Sequence, residues 1–403
     1  MQLAFFSIAA SCVPLDNPFP FSPGFDISRV ADLAQSLPSH SWEFGTASQA
    51  LLELHNSSLS VFGCDPFRSD LDPSTVKALQ YAQRTIVISQ DGKNALADGD
   101  GAVGDPASLG VSALMLGGTI PMYRDAAERQ LDYVVYEAPR YDNGAISQRV
   151  EGPELWADFI YMAPPFIAYY AVTTQNLALL QQSVDQCRLY REILLQADTN
   201  LWKHIINPTT TPDPGLWSTG NGWVAAGMTR VLATVMKAPE YIIPPDYRET
   251  VIAELTGWIK EILDAVVGSP LDQGLLPNYL NDDGGHWYGE ISGSSLLAAV
   301  AYRMAVLQPN VFGLGRGGYT AWADGIRGVL GGNDEGGNPH VTSEGVVTPA
   351  VNPLNWGDRT PFTTGSPEGQ NFVVMMYAAW RDCVVDGKCQ APVEYGVRDR
   401  DGL

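Results

Sequence analysis

The chain has 403 residues, of which 45% are hydrophobic, so it can bury a large globular core. It carries 24 basic and 45 acidic residues, which gives a formal net charge of −21. This excess of acid argues against nucleic acids and anionic membrane surfaces as partners. An anionic substrate would need cations or hydrogen-bond donors placed locally in its binding site.

Residues 1–12 form a short apolar stretch that is followed by small residues. This pattern is typical of a signal peptide, although the positively charged start of most signal peptides is missing. We therefore expect cleavage and secretion, and an intracellular protein if the leader is retained. No other stretch approaches the length of a membrane span.

The chain contains 5 cysteines. Removal of Cys12 with the leader would leave an even number, which fits disulfides in an oxidising compartment. Cys383 and Cys389 are close in sequence and could close a small loop. Cys64 and Cys187 would then be a second pair or two free buried thiols.

Residues 13–41 are rich in Pro, Phe and Ser and predict an irregular arm. Helical spacing of apolar residues begins at Trp42, and strand-like alternation is nearly absent. Further helices are predicted near residues 75–88, 106–117, 123–138, 153–173, 175–197, 217–238, 246–266, 290–307, 317–330 and 366–382. The pattern predicts one all-α domain over residues 42–390, built from helical hairpins, and a tail over 391–403. Periodicity alone leaves open whether the hairpins form an open solenoid or a closed ring.

Asp158 is an acid inside an apolar run that includes Leu155, Trp156, Phe159 and Ile160. Desolvation in such surroundings should raise the pKa of its carboxyl group and allow it to act as a general acid. The residues support equally a helix N-terminal acid that offsets the helix dipole. Asp105, followed by Pro106, has a simpler reading as a helix N-cap.

The stretch from Glu154 to Phe166 resembles the Trp-x-Asp-x-x-x-Met-x-x-Pro-Phe signature of unsaturated glucuronyl and rhamnogalacturonyl hydrolases. These enzymes form glycoside hydrolase families 88 and 105, and the chain looks closer to family 105. The resemblance extends from about Trp42 to about Asp382. It implies a closed (α/α)6 barrel of helical hairpins, with the active site in the cavity at one end.

The resemblance also implies the chemistry. The substrate is an oligosaccharide that ends in a 4,5-unsaturated uronic acid, and no cofactor or metal is needed. Asp158 corresponds to the proton donor, which protonates C4 of the double bond and then serves as base for the water that adds at C5. Asp105, which keeps the family's offset of five residues to Gly110, would orient substrate or water. We expect the two carboxyl groups to face one cavity, with Asp158 the more buried of the two, and we expect a monomer.

Two further blocks match the family order. The segment from Trp217 to Trp223 resembles its Trp-x-x-x-x-Gly-Trp block, and the segment from Glu290 to Ser294 resembles its Glu-x-Ser-Gly-Ser block. Indole faces stack on sugar rings, whereas the structural alternatives are a turn with core tryptophans and a helix cap at Glu290 or Ser292. The predicted substrate-binding residues are Trp42, Gln148, Arg149, Trp156, Trp217, Thr219, Asn221, Trp223, His286, Glu290 and Ser292.

The chain departs from the family at two positions. Thr219 stands where many members have an arginine for the substrate carboxylate, and Gln148 lies where a histidine is common. Arg149 could supply the missing cation, although a surface arginine beside a helix is the simpler account. Trp356, Asp358 and Arg359 lie before the last helix without an assigned role.

Two other functions stay open at this point. One is a conventional inverting glycosidase on the same barrel, with Asp105 and Asp158 as its carboxyl pair. The other is a non-catalytic saccharide-binding relative, which the departures at Thr219 and Gln148 keep under consideration. The segment from Gly313 to Gly318 fits G-x-G-x-x-G, but no strand precedes it, which argues against a dinucleotide site. The histidines show no metal-binding spacing.

Overall fold

The structure is a computed structural model that describes residues 17–97, 101–206, 212–282 and 287–391. The predicted leader at residues 1–12 and residues 392–403 of the predicted tail lie outside these ranges. In the part of the chain that is described, no helix is long and apolar enough to cross a membrane.

Helices dominate the described residues, and each predicted helix has a counterpart. The α-helices are α1 Ile27–Ser36, α2 Ser41–His55, α3 Lys77–Thr85, α4 Gly104–Ala107, α5 Gly110–Gly117, α6 Pro121–Asp132, α7 Phe159–Met162, α8 Pro164–Thr173, α9 Leu177–Leu194, α10 Ser218–Lys237, α11 Pro245–Val267, α12 Ile291–Leu307, α13 Pro309–Phe312, α14 Tyr319–Leu330 and α15 Pro367–Val385. The strands form two short antiparallel ladders, in which β1 Leu155–Trp156 pairs with β4 Ile205–Ile206 and β2 Leu195–Gln196 pairs with β3 Leu201–Trp202.

The helices form an inner and an outer layer. In the described ranges the inner layer runs α2, α4–α5, α7–α8, α10, α12, α15; each of these packs against the next, and α15 packs against α2. The outer helices α3, α6, α9, α11, α14 and α1 pair with α2, α5, α8, α10, α12 and α15 respectively. This arrangement of helical hairpins confirms the predicted all-α fold class.

The sequence of each helix explains its layer. The inner helix α12 is buried almost all round, because small and apolar residues such as Ala298, Val300 and Ala301 occupy every side of it. The outer helix α11 buries a single stripe that includes Val251 and Leu255, at the spacing of an amphipathic helix.

The inner helices begin at the same end of the molecule. The indole Nε1 of Trp42, in the first turn of α2, donates to Glu368 Oε1 in the first turn of α15 at 3.1 Å. Ser218, the first residue of α10, donates its hydroxyl to Glu290, the N-cap of α12, at 2.9 Å. Each helix N-terminus carries roughly half a positive charge. This end of the ring is therefore intrinsically favourable for anions.

One predicted boundary is wrong. Residues 13–41 were expected to be an irregular arm, but α1 lies within them. Asp26 caps this helix by accepting from the backbone N–H groups of Ser28 and Arg29, and Ile27 and Val30 are buried. Because α1 packs on α15, the segment supplies the outer helix of the last hairpin.

The cysteines are partly as predicted. Cys383 and Cys389 form a disulfide, which confirms that pair. Cys64 is also disulfide-bonded, whereas Cys187 is a free, buried thiol. A Cys64–Cys187 pair, and two free thiols at these positions, are therefore both wrong.

Charged side chains are buried where the inner helices end. Glu53 of α2 accepts hydrogen bonds from Arg230 of α10 and, at 2.8 Å, from Arg303 of α12. Arg303 also pairs with Asp382 at 2.6 Å, and Arg381 donates to the backbone carbonyl of Glu53 at 2.7 Å. Glu53 is 2% exposed. This cluster joins helices across the ring at the end opposite to the helix N-termini.

We expect Glu53→Gln to lower the free energy of unfolding by about 3–5 kcal/mol, because two buried guanidinium groups would lose their shared carboxylate. Urea denaturation measures the change. Glu240→Gln, at an exposed position, is the matched control. Equal stability of the two variants would show that the buried cluster contributes nothing to stability.

Candidate active site

Asp158 lies immediately before α7, at the end of the ring where the inner helices begin. The pairing of β1 with β4 brings His204 beside it, because the backbone N–H of Ala157 donates to the carbonyl of His204 at 2.8 Å. His204 Nε2 lies 3.4 Å from Asp158 Oδ2. The side chain of Asp158 is 15% exposed and that of His204 is 1% exposed. Asp158 therefore sits at the boundary between a buried imidazole and the solvent.

The other face of His204 is held by a second acid. Its Nδ1 lies 2.8 Å from Asp213 Oδ2, and the hydroxyl of Tyr279 donates to the same carboxylate oxygen. Burial alone would lower the pKa of His204, but the adjacent carboxyl groups of Asp158 and Asp213 outweigh this effect and the net pKa is raised. Burial would raise the pKa of Asp213, but the bonds from His204 and Tyr279 lower it. The arrangement favours an imidazolium between two carboxyl groups.

Asp105 begins the neighbouring inner helix. Gln148 Nε2 donates to Asp105 Oδ1 at 2.7 Å, and Gln148 itself is 2% exposed. A Cβ placed on Gly104 would lie 3.1 Å from Cδ2 of Phe159, so α4 and α7 touch at the residues next to the two acids. A Cβ on Gly110 would overlap the ring of Phe166, which explains the glycine five residues after Asp105. Asp105 and Asp158 thus start adjacent, tightly packed helices.

Indole rings surround His204. The ring of Trp217 lies 4.4 Å from the imidazole, that of Trp356 5.3 Å and that of Trp156 5.9 Å. Trp156 also meets Trp356 edge-on at 5.5 Å. Such faces bind sugar rings and exclude water. Trp156 and Trp356 are half-buried and can be reached from the solvent, whereas Trp217 is 2% exposed.

Glu368 is a further buried carboxyl group at this end of the ring. It is 3% exposed, and its Oε1 accepts from Trp42. Its Oε2 has no hydrogen-bond partner among the described residues. Burial, and then the negative charges of Asp158 and Glu43, raise the pKa of Glu368 well above its usual range. Burial therefore favours the neutral form of the Glu368 carboxyl group.

The predicted residues at the start of α10 and α12 have internal partners. Glu290 accepts from the backbone N–H groups of Ser292 and Gly293 and from the hydroxyl groups of Ser218 and Thr219. A Cβ on Gly293 would crowd Ser218, so the two helices touch here. Glu290, Ser292 and Thr219 are fully buried. These contacts join the helices, and a role in substrate binding stays a prediction.

Asn221 and Trp223 are also fully buried. Asn221 accepts from the backbone N–H of Trp202 at 2.8 Å and donates to its carbonyl at 3.0 Å. The Trp223 ring packs on Tyr161 at 4.5 Å. Trp217 is therefore the tryptophan of this block that lies beside His204, and substrate contacts by the other two residues stay predictions.

The predicted cation Arg149 lies at the rim. Its side chain is 30% exposed, and its Nε lies 3.6 Å from Glu151 Oε2. This geometry favours the simpler account of a surface arginine. His286 lies outside the described residues. Within the described residues no group of three or more His, Cys, Asp or Glu side chains could hold a metal ion.

Several residues of this site were missed by sequence reasoning. His204 and Asp213 belong to no recognisable sequence motif, and the β1–β4 ladder that brings them to Asp158 is too short to predict. Tyr279 and Trp356 reach the site from loops. The sequence does contain a signal for Glu368. This acid follows Ser366-Pro367 at the start of an inner helix, much as Asp105 stands beside Pro106 at the start of another.

We expect the effect of Glu368→Gln on stability to depend on pH. Because folding raises the pKa of this group, its contribution to stability is present below its unfolded value of 4.5 and is lost as pH rises through the folded value. The amide mimics the neutral carboxyl group, so the variant should gain Tm over the parent protein increasingly as pH rises. Thermal unfolding across pH measures this, with Glu240→Gln as control. A difference that does not vary with pH would contradict a buried neutral carboxyl group.

Residues 118–311 match the family model described as Glycosyl Hydrolase Family 88. This range contains Asp158, His204 and Asp213, and Asp105 lies before it. The unsaturated rhamnogalacturonyl hydrolase YesR of Bacillus subtilis (strain 168) is 25% identical over 187 residues, which are 44% of this chain and 51% of that protein. The chain thus matches about half the length of this curated relative.

Solved structures extend the likeness to the whole fold. A possible member of the GH105 family from Salmonella enterica subsp. enterica serovar Paratyphi A superposes with a TM-score of 0.64 at 16% identity, over 91% of this chain and 96% of that one. The GH76A α-1,6-mannanase from Salegentibacter sp. HEL1_6 superposes with a TM-score of 0.58 at 12% identity, over 89% and 98%. At these identities the likeness shows the fold alone. Together with the family match over residues 118–311, it confirms the resemblance that the motifs predicted: this part of the chain is similar to Glycosyl Hydrolase Family 88, and the chain has the all-α, six-hairpin fold that these glycoside hydrolases share.

Proposed function

We propose that this protein removes a terminal 4,5-unsaturated uronic acid from pectin- or rhamnogalacturonan-type oligosaccharides. The observation that carries the proposal is the position of Asp158, whose side chain is 15% exposed, between the His204–Asp213 pair and the surface-accessible indole rings of Trp156 and Trp356. The family match and the activity in the name of the Bacillus subtilis relative support the substrate class.

The proposed reaction is hydration of the vinyl ether. Asp158 gives its proton to C4, and water adds its oxygen to C5 while its proton goes to the Asp158 carboxylate. The resulting hemiketal opens by breaking the bond between C5 and the ring oxygen, which leaves a ketone at C5. The hemiacetal left at C1 then releases the remaining saccharide as an alcohol, and C1 becomes an aldehyde.

His204 supports the proton-donating role of Asp158 in this scheme. Its imidazolium, held by Asp213, stabilises the carboxylate that forms when Asp158 gives up its proton. Asp105, fixed by Gln148, orients substrate or water on the adjacent helix. Proton transfer by a positioned side chain needs such fixed geometry.

The substrate carboxylate lacks the arginine that many family members provide, because Thr219 is buried and bonded to Glu290. The converging N-termini of the inner helices offer partial positive charge in its place. The neutral state of Glu368 also removes one negative charge from the site. These features make an acidic sugar acceptable in a protein of strongly negative net charge.

We further propose that the protein is exported. The Cys383–Cys389 disulfide and the bonded state of Cys64 support an oxidising compartment. A monomeric state stays a prediction.

We expect Asp158→Asn to lower kcat by about 10²–10⁴, because the amide cannot donate a proton to carbon. Loss of the ultraviolet absorbance of unsaturated rhamnogalacturonan, pectin and glucuronan fragments measures turnover. Asp105→Asn should impair turnover less. Asp142→Asn, on the surface, is the matched control.

Near-normal turnover by Asp158→Asn would make Asp158 a structural acid and refute the mechanism. Cleavage of saturated oligosaccharides that leaves the double bond of unsaturated ones intact would favour the inverting glycosidase. Binding of either substrate without turnover would favour a non-catalytic saccharide-binding protein.

We expect Asp213→Asn to shift the alkaline limb of the pH dependence of kcat/KM to lower pH. Asp213 helps to hold a proton on His204, so its loss lowers the pKa of the imidazole and the imidazolium is lost earlier as pH rises. Asp142→Asn should leave the limb unchanged. A uniform loss of activity without a shift would mean that Asp213 serves folding alone.

A further inference from the structure

A groove of about 430 Å³ opens beside the site. Its walls include Asp213, Tyr279, Trp287, Trp356 and Arg359. This volume lies within the range of typical small-ligand sites. The mixture of aromatic faces and polar groups is typical of sites that bind saccharides rather than apolar ligands.

The groove is continuous with the site of Asp158. Trp356 lines the groove, and its ring also lies 5.3 Å from His204. Asp213 lines the groove and is also hydrogen-bonded to His204. An oligosaccharide whose terminal sugar reaches Asp158 therefore has its next units directed into this groove.

Arg359 places one positively charged side chain in the wall of the groove. Its guanidinium carbon lies 4.9 Å from the centre of the Trp287 ring, and Trp287 packs on Tyr279 at 4.6 Å. Arg359 is exposed, and within the described ranges it forms no ion pair. The stacked position orients the guanidinium and leaves its hydrogen-bond donors available to a ligand.

The acids of the groove have partners of their own. Asp213 is bonded to His204 and Tyr279, and Asp282 accepts from the backbone N–H of Trp287 at 2.9 Å. Neither carboxylate neutralises Arg359 by an ion pair. The guanidinium is thus the charged group of the groove that is positioned to meet a ligand anion.

We propose that this groove binds the saccharide unit that follows the unsaturated sugar, and that Arg359 pairs with a carboxylate on that unit. The protein then prefers substrates in which a uronic acid, rather than a neutral sugar, follows the terminal residue. The inference rests on the proposed function, since it assumes that the unsaturated sugar lies at Asp158. A planar guanidinium can bind a carboxylate through two parallel hydrogen bonds, which a neutral sugar does not offer.

The test compares two unsaturated disaccharides, one with galacturonic acid and one with rhamnose as the second unit. The ratio of kcat/KM for the acidic substrate to that for the neutral one should fall about three- to tenfold in Arg359→Gln, the range expected for a solvent-exposed charge pair strengthened by fixed geometry. Arg359→Lys should keep part of the preference, because the charge stays but the fork is lost. Arg316→Gln, at another exposed arginine, is the control and should leave the ratio unchanged.

Salt provides a second readout. Raising the ionic strength should reduce the preference for the acidic substrate in the parent protein and should have little effect on the ratio in Arg359→Gln. An equal ratio in the parent protein and Arg359→Gln would overturn the inference while leaving the proposed function intact. Failure of the parent protein to consume either disaccharide would count against the proposed function itself.

Discussion

The common direction of the inner helices is the constraint on which the site depends. Because their N-termini meet at one end of the ring, residues far apart in sequence become neighbours there, as Trp42 and Glu368 show. The same geometry concentrates backbone N–H groups and partial positive charge in one place. Acids that would repel one another elsewhere can therefore be collected around Asp158. The alternation of inner and outer helices along the chain is what produces this common direction.

The opposite end of the ring has the complementary chemistry. Arg230, Arg303 and Arg381 lie towards the ends of their helices, where carbonyl groups carry partial negative charge, and Arg381 donates to the last carbonyls of α2. Glu53 joins two of these arginines across the ring. The two ends of the ring thus have different roles. Buried ion pairs join the helices at one end, and the acids of the candidate site lie at the other end.

How much of the fold and the site could be predicted from the sequence depends on how far apart the interacting residues lie along the chain. Helix positions depend on local periodicity, and the fold class and the family resemblance were predicted from it and from the motif around Asp158. His204 and Asp213 were missed because a ladder of two residue pairs carries no periodic signal. The partner of a cysteine depends on tertiary proximity, which is why the expectations for Cys64 and Cys187 failed. The helix α1 was missed since neighbouring prolines obscured its short apolar stripe.

The negative net charge of the protein is compatible with the anionic substrate proposed for it, because surface charges and contacts within the site act over different distances. Over more than about 8–10 Å, salt screens the surface acids, so their effect on a bound ligand is weak. Within the site, the electrostatic effect on a bound ligand is set by the groups in direct contact with it. Asp213 is paired with His204, whose pKa is raised, burial favours the neutral form of Glu368, and the helix N-termini are positive. On the proposed function, the acids left to contact the substrate are Asp158 and Asp105. On this view the missing arginine at Thr219 removes a specificity contact rather than the capacity to bind an acidic sugar.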